Sequence, residues 1–278
     1  MPEGIADMAG FRTRALSAVA LVLILGSALI VGKYYLWGLM LFCSLVGFYE
    51  FSGAMRTPEA RADKRPHMVE IPGYIGIILL YVVILLWNTA LYTLYVLMLL
   101  LISMMIIYVM KYPAYPTARM MQVYFGVVYT GVMLSFVYMT RMTEYGIRTV
   151  WLIFISSWIC DTFAYLTGMA FGRHKLAPKL SPKKSVEGAI GGVAGSAIVG
   201  YVYGILIGLG EKAAIMAVIS AVGAVISQFG DLTASAIKRD HDIKDYGSVI
   251  PGHGGILDRF DSVIITAPIV YMLSQTLI

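Results

Sequence analysis

Long apolar runs, broken by short polar stretches, repeat along the whole chain. A bilayer core of about 30 Å is crossed by about 20 predominantly apolar residues in a helix. On that measure the runs predict nine membrane-spanning helices, over residues 15–31, 35–54, 71–87, 91–110, 120–139, 149–170, 185–207, 213–230 or beyond, and 262–278. The first run is longer than the 7–15 apolar residues of a secretory signal and no small-residue cleavage pattern follows it, so it reads as a span.

Composition agrees with this pattern. Of the 278 residues 59% are hydrophobic and 13% charged, and the mean hydropathy is +0.79, whereas soluble domains carry about 25% charged residues. A disordered chain, a fibrous repeat and an ordinary cytosolic enzyme are excluded, which leaves an all-α integral membrane protein. Cys43 and Cys160 lie inside apolar runs rather than in a spaced framework, so neither a disulfide scaffold nor a cysteine metal site is expected. The net charge of +5 matters through its placement. Assigned to alternate sides of nine spans, 17 of the 21 Lys and Arg fall on one side, and only Lys33, Arg141, Arg148 and Lys212 on the other. Cytoplasmic loops carry the positive excess, so the N-terminus is expected in the cytoplasm and the C-terminus outside.

Ionisable residues inside spans are costly and usually face a wet cavity or a bundle interior. Two spans carry them in stripes: Ser157, Asp161, Tyr165 and Gly168 in the sixth run, and Ser227, Asp231, Ser235 and Lys238 in the eighth. Helical spacing puts each set on one face. With both near the basic side, they predict a shared polar cavity open to the cytoplasm. The glycines at 188, 191, 192, 195, 200 and 204 give small-xxx-small spacings suited to close helix packing, within the chain or between subunits. Just before them, Ser181 suits a helix N-cap and Pro182 the first helical position. Taken alone, this segment reads as a capped basic loop; with Lys183 and Lys184 it also has the make-up of an anion site.

The densest chemistry lies between the last two runs. Residues 238–261 hold nine of the 37 charged residues, two of the four histidines, and glycines at 247, 252, 254 and 255 around Pro251. Such a loop brings backbone close to a ligand. Asp258 and Asp261 are three apart, so a helix there puts both on one face. Carboxylates without a histidine or cysteine set suit Mg²⁺, which keeps waters and shares its shell with substrate phosphates, and Asp231 can complete the group. Interspersed Lys and Arg add what phosphoryl or nucleotidyl transfer needs, namely positioning and charge stabilisation.

The ungapped stretch from Ser235 to Asp261, SAIKRDHDIKDYGSVIPGHGGILDRFD, resembles the signature of the phosphatidate cytidylyltransferase (CDP-diacylglycerol synthase) family. Upstream, the segment from Cys160 to Tyr165 with Gly168, the run 171–180, Ser181-Pro182-Lys183-Lys184 with Glu187-Gly188, and Gly230-Asp231-Leu232 resemble family segments in the same order. The resemblance covers residues 150–275; Ser185 stands where threonine is common and keeps the hydroxyl. It implies a homodimeric bundle of the bacterial inner membrane, surrounded by membrane lipids, that condenses CTP with phosphatidic acid to CDP-diacylglycerol and pyrophosphate. Nucleic acid has no part in that reaction. Residues 1–140 would then support the fold and shape a lipid entrance, and 141–278 would carry catalysis. The resemblance assigns Asp231, Asp258 and Asp261 to a metal pair, Mg²⁺ and a second cation such as K⁺. Lys183, Lys184, Ser235, Lys238, Arg239, Lys244 and Arg259 are expected to hold the substrates, while Asp161 and Asp245 stand behind them. His253 either donates to a phosphate oxygen or braces the glycine loop. The rival reading is a secondary transporter or cation channel, against which the charges gather at one face and no repeat relates the two halves.

Overall fold

The computed structural model describes residues 3–56, 61, 67–87, 90–252 and 254–278, with side chains from residue 16 onward except residue 90. Among them are nine long helices: α1 (Glu3–Val31), α2 (Lys33–Ala54), α3 (Ile71–Trp87), α4 (Ala90–Met110), α5 (Thr117–Arg141), α6 (Gly146–Phe171), α7 (Val186–Leu206), α8 (Ala213–Asp240) and α9 (Leu257–Leu277). Eight are long and apolar enough to cross a membrane, and α1 adds a shorter apolar stretch, Leu16–Val31. The protein is an integral membrane protein whose helices coincide with the nine runs.

Two local features depart from the sequence expectation, and a third, the length of α8, extends it. Residues 175–185 form a small antiparallel hairpin, β1 (Lys175–Ala177) with β2 (Ser181–Ser185), so the fold is helical but not wholly so. Ser181 and Pro182 therefore do not begin a helix. Proline's missing N–H is harmless in a two-stranded ribbon, and the helix starts four residues later, where the Ser185 hydroxyl accepts the Gly188 N–H at 3.1 Å as the N-cap of α7. α8 runs past Gly230 to Asp240. Its 28 residues measure about 42 Å at 1.5 Å each, longer than the apolar slab, so its polar last turns continue as helix beyond the hydrophobic run. The second departure is α9, which starts at Leu257, five residues before the apolar run.

The chain forms two compact units. The first comprises Met1–Ser135 and Ile243–Arg259. Its core is aromatic: Phe48 fills the space a side chain at Gly73 would take, Phe51 does the same at Gly126, and Phe51 also packs on Phe125 and Tyr129. Beside it lies a buried ion network, in which Glu70 receives Arg56 at 2.9 Å and Arg119 on its other oxygen, while Arg119 also donates to the Ser52 carbonyl at 3.0 Å.

The second unit comprises Phe136–Asp242 and Phe260–Ile278. Here the glycine row of α7 acts within the chain. Gly191, Gly192 and Gly195 admit Thr167, Cys160 and Phe163 of α6, and Gly200 and Gly204 admit Ser220 and Ala213 of α8. A side chain at any of these positions would collide, so small residues set the helix separation.

Candidate active site

In the second unit α6, α7, α8 and the hairpin enclose a cavity of about 500 Å³, lined among others by Asp161, Tyr165, Gly168, Ser181, Lys183, Lys184, Ser185, Gly188, Gln228 and Asp231. Four of the residues singled out from the sequence, Asp161, Lys183, Lys184 and Asp231, thus share one space. Lys184 forms an ion pair with Asp231, each side chain about a quarter exposed to the cavity. The pairing depends on β2: an extended strand leading into α7 delivers Lys184 to α8 and leaves Ser185 to cap.

The polar stripes are only partly as expected. A wider π-type turn at Ile155–Ile159 changes the register just before Asp161. Ser157 consequently lies fully buried and donates to the Ile153 carbonyl at 2.8 Å, away from the cavity that Asp161, Tyr165 and Gly168 line. Ser227 is also fully buried, and its neighbour Gln228 takes the cavity position, donating to the Ala189 carbonyl at 3.1 Å. Ser235, Lys238 and Arg239 follow on the last turns of α8 and do not line this cavity. Asp261 accepts the N–H of Ser262 at 2.8 Å. Gly230, next to Asp231, brings α8 against the start of α9, because a Cβ there would stand 3.0 Å from the Asp261 carbonyl oxygen.

The first unit holds the glycine loop. Asp258 is 7% exposed, and its Oδ2 accepts the N–H of Tyr246 at 2.8 Å and of Gly255 at 3.1 Å. Asp245 packs beside Gly254, whose φ of +83° suits glycine. Lys244 is exposed, and the Nε of Arg259 is buried without a hydrogen-bond partner, which marks it as a donor awaiting an acceptor. His253 lies outside the described residues.

Two acids to which the sequence assigned no role hold parts of the structure together. Glu187 ties the hairpin to α7, accepting the N–H of Arg173 at 3.0 Å and meeting the His174 ring at 2.6 Å. Glu50 accepts backbone amides of the signature loop. The signal for Glu50 was present, since it is the one acid inside the second apolar run.

Among the described residues no three His, Cys, Asp or Glu side chains gather around one point as a ready metal cage. Mg²⁺ does not require one, because one or two carboxylates plus substrate phosphates suffice. The donor set fits such an ion: Asp231 is an acid that already carries a cationic group, the Lys184 ammonium.

Comparison with known proteins bears on what this arrangement does. The family model described as "Cytidylyltransferase family" matches residues 12–277. Proteins named phosphatidate cytidylyltransferase are similar to the chain: one from Bacillus subtilis is 28% identical over 84% of this chain and 91% of its own length, and one from Rickettsia felis 33% identical over 76% and 94%. One from Thermotoga maritima is 31% identical over 55% of this chain, and the match spans 58% of that relative's length.

Proposed function

The chain belongs to the cytidylyltransferase family, and we propose that it transfers the cytidylyl group of CTP to phosphatidic acid, forming CDP-diacylglycerol and releasing pyrophosphate. The observation that carries this reading is the cavity in which Lys183, Lys184 and Asp231 meet beside a capped helix start, in a chain matched over nearly its whole length by that family.

In this reading the lipid phosphate, already an anion, attacks the α-phosphorus of CTP in line; the bond to the bridging oxygen of the β-phosphate breaks and pyrophosphate departs with the electron pair. Lys183 and Lys184 meet phosphate oxygens at the mouth of α7, whose dipole adds positive potential. Arg259 has an unpartnered Nε to offer, and Ser235, Lys238, Arg239, Lys244 and His253 would supply further donors. Asp231, Asp258 and Asp261 would hold Mg²⁺ and a second cation such as K⁺. Those ions neutralise charge on the phosphate oxygens when bound. Asp161, across the cavity from Lys184, orients the ammonium rather than acting as a base, since the phosphate nucleophile is already anionic. Asp245 supports the loop beneath Asp258.

The positive-inside bias sets the N-terminus and the cavity toward the cytoplasm and the C-terminus outside, in a bacterial inner membrane. There CTP reaches the cavity from water while the acyl chains stay in the bilayer, and a homodimer is the expected assembly.

The test is incorporation of radiolabelled CTP into lipid by purified protein given phosphatidic acid and Mg²⁺, with Asp261→Ala and EDTA as controls. Labelled CDP-diacylglycerol that vanishes in both controls is the expected result. No labelled lipid from folded protein, together with CTP-independent solute uptake by proteoliposomes, overturns it in favour of a transporter.

A further inference from the structure

The glycine loop and the start of α9 are held by a residue far away in sequence. Glu50, in α2, is 3% exposed and sits in an otherwise apolar run. Its Oε1 accepts the N–H of Ile256 at 3.1 Å and its Oε2 the N–H of Leu257 at 2.8 Å, a contact spanning 207 positions of the chain. These amides open α9, and the first amides of a helix have no partner inside it. A carboxylate there satisfies them and meets the positive end of the helix dipole.

The same carboxylate explains two signature glycines. A Cβ at Gly247 would come within 2.3 Å of Glu50 Oε1, and one at Gly255 within 2.5 Å. Both glycines are therefore bare because Glu50 occupies the space. From the other side Asp258 Oδ2 accepts the amides of Tyr246 and Gly255, so the loop is pinned between two acids, one from α2 and one from its own helix.

We propose that Glu50 is a positioning residue for nucleotidyl transfer: by capping α9 at Ile256 and Leu257 and seating Gly247 and Gly255, it fixes where Asp258 presents its carboxylate. Both oxygens of Glu50 are engaged by amides, so it acts through Asp258 and touches neither substrate. The role rests on the cytidylyl-transfer reading; the brace itself does not.

The test measures two things on the full-length protein in detergent: hydrogen exchange of peptides covering 243–258, and steady-state kinetics with CTP, phosphatidic acid and Mg²⁺. Glu50→Gln keeps the volume but replaces one acceptor oxygen with a donor that faces an amide. It is expected to speed exchange at Ile256 and Leu257 by about tenfold or more, and to lower kcat about 10- to 100-fold, the range seen when a supporting partner of a site is lost. KM for CTP should stay within about threefold, and exchange in α6 to α8 should be unchanged. Glu50→Asp, which retains both oxygens, should recover part of kcat. Should Glu50→Gln not fold, Gly255→Ala reads the same brace with Glu50 intact and should give the same local exchange and kcat loss. Wild-type exchange in the loop of a folded Glu50→Gln protein overturns the brace. Faster exchange with unchanged kcat overturns the positioning role. Wild-type protein that makes no CDP-diacylglycerol overturns the catalytic reading and the positioning role with it, while faster exchange in the variants still upholds the brace.

Discussion

The acids that hold the glycine loop and the acid paired with Lys184 in the cavity do opposite things with their oxygens. Glu50 spends both of its oxygens and Asp258 its Oδ2 on backbone amides of a tight loop, whereas Asp231 meets the side-chain ammonium of Lys184 in a partly open space. An amide-bound carboxylate is costly to remove, because each orphaned buried N–H loses about 1–3 kcal/mol. A partly exposed ion pair is worth about 0–1 kcal/mol to folding and can exchange partners with an incoming ligand. The first arrangement holds a shape, and in the proposed reaction the second would be rearranged by binding.

This contrast makes stability and activity separable, and four variants probe it. The largest effect is expected from Asp231→Ala, which should lower kcat/KM by about 10³-fold, the scale of losing one group that stabilises developing charge, with no change in melting temperature; radiolabel transfer and thermal unfolding in detergent check both. A melting point that falls with the activity would mean that Asp231 belongs with the braces. Glu70→Ala lies at the other extreme. It strands Arg56 and Arg119 in the interior and should cost about 3–5 kcal/mol of stability, while the specific activity of the remaining folded protein is retained, as followed by denaturant unfolding alongside turnover. Lys184→Met should lower kcat/KM about 10- to 100-fold, with KM for CTP carrying much of the change if the ammonium meets phosphate. The smallest effect is expected from Ser185→Ala: loss of one N-cap should cost about 1 kcal/mol, read as a lowered melting temperature and faster exchange in the first turn of α7.

Much of this was legible from the sequence because it depends on neighbours in the chain. Apolar runs of span length become helices wherever they stand, so the nine runs and nine helices coincide. The spacing of the glycines in 188–204 is a property of one helix, and so is the separation of Asp258 and Asp261. Stripe readings failed where local geometry departed from the α period: the wide turn at Ile155–Ile159 took Ser157 out of the cavity face. The start of α7 was misplaced because a serine, a proline and two lysines fit a helix cap as well as they fit a strand. The pairing of Lys175 with Ser185 and of Ala177 with Ser181 in the hairpin, and the clasp of Glu187 on Arg173 and His174, selected the strand.

By itself, then, the amino-acid order determined the class of protein, the number and place of its long helices, and which acids and bases were available, since hydrophobic length and residue spacing act over a few turns. The tertiary structure alone decided which of those acids serve as braces and which line the cavity. A buried carboxylate must find donors wherever packing delivers them. For Glu50 these were amides 206 and 207 positions away, and no local pattern carries that information.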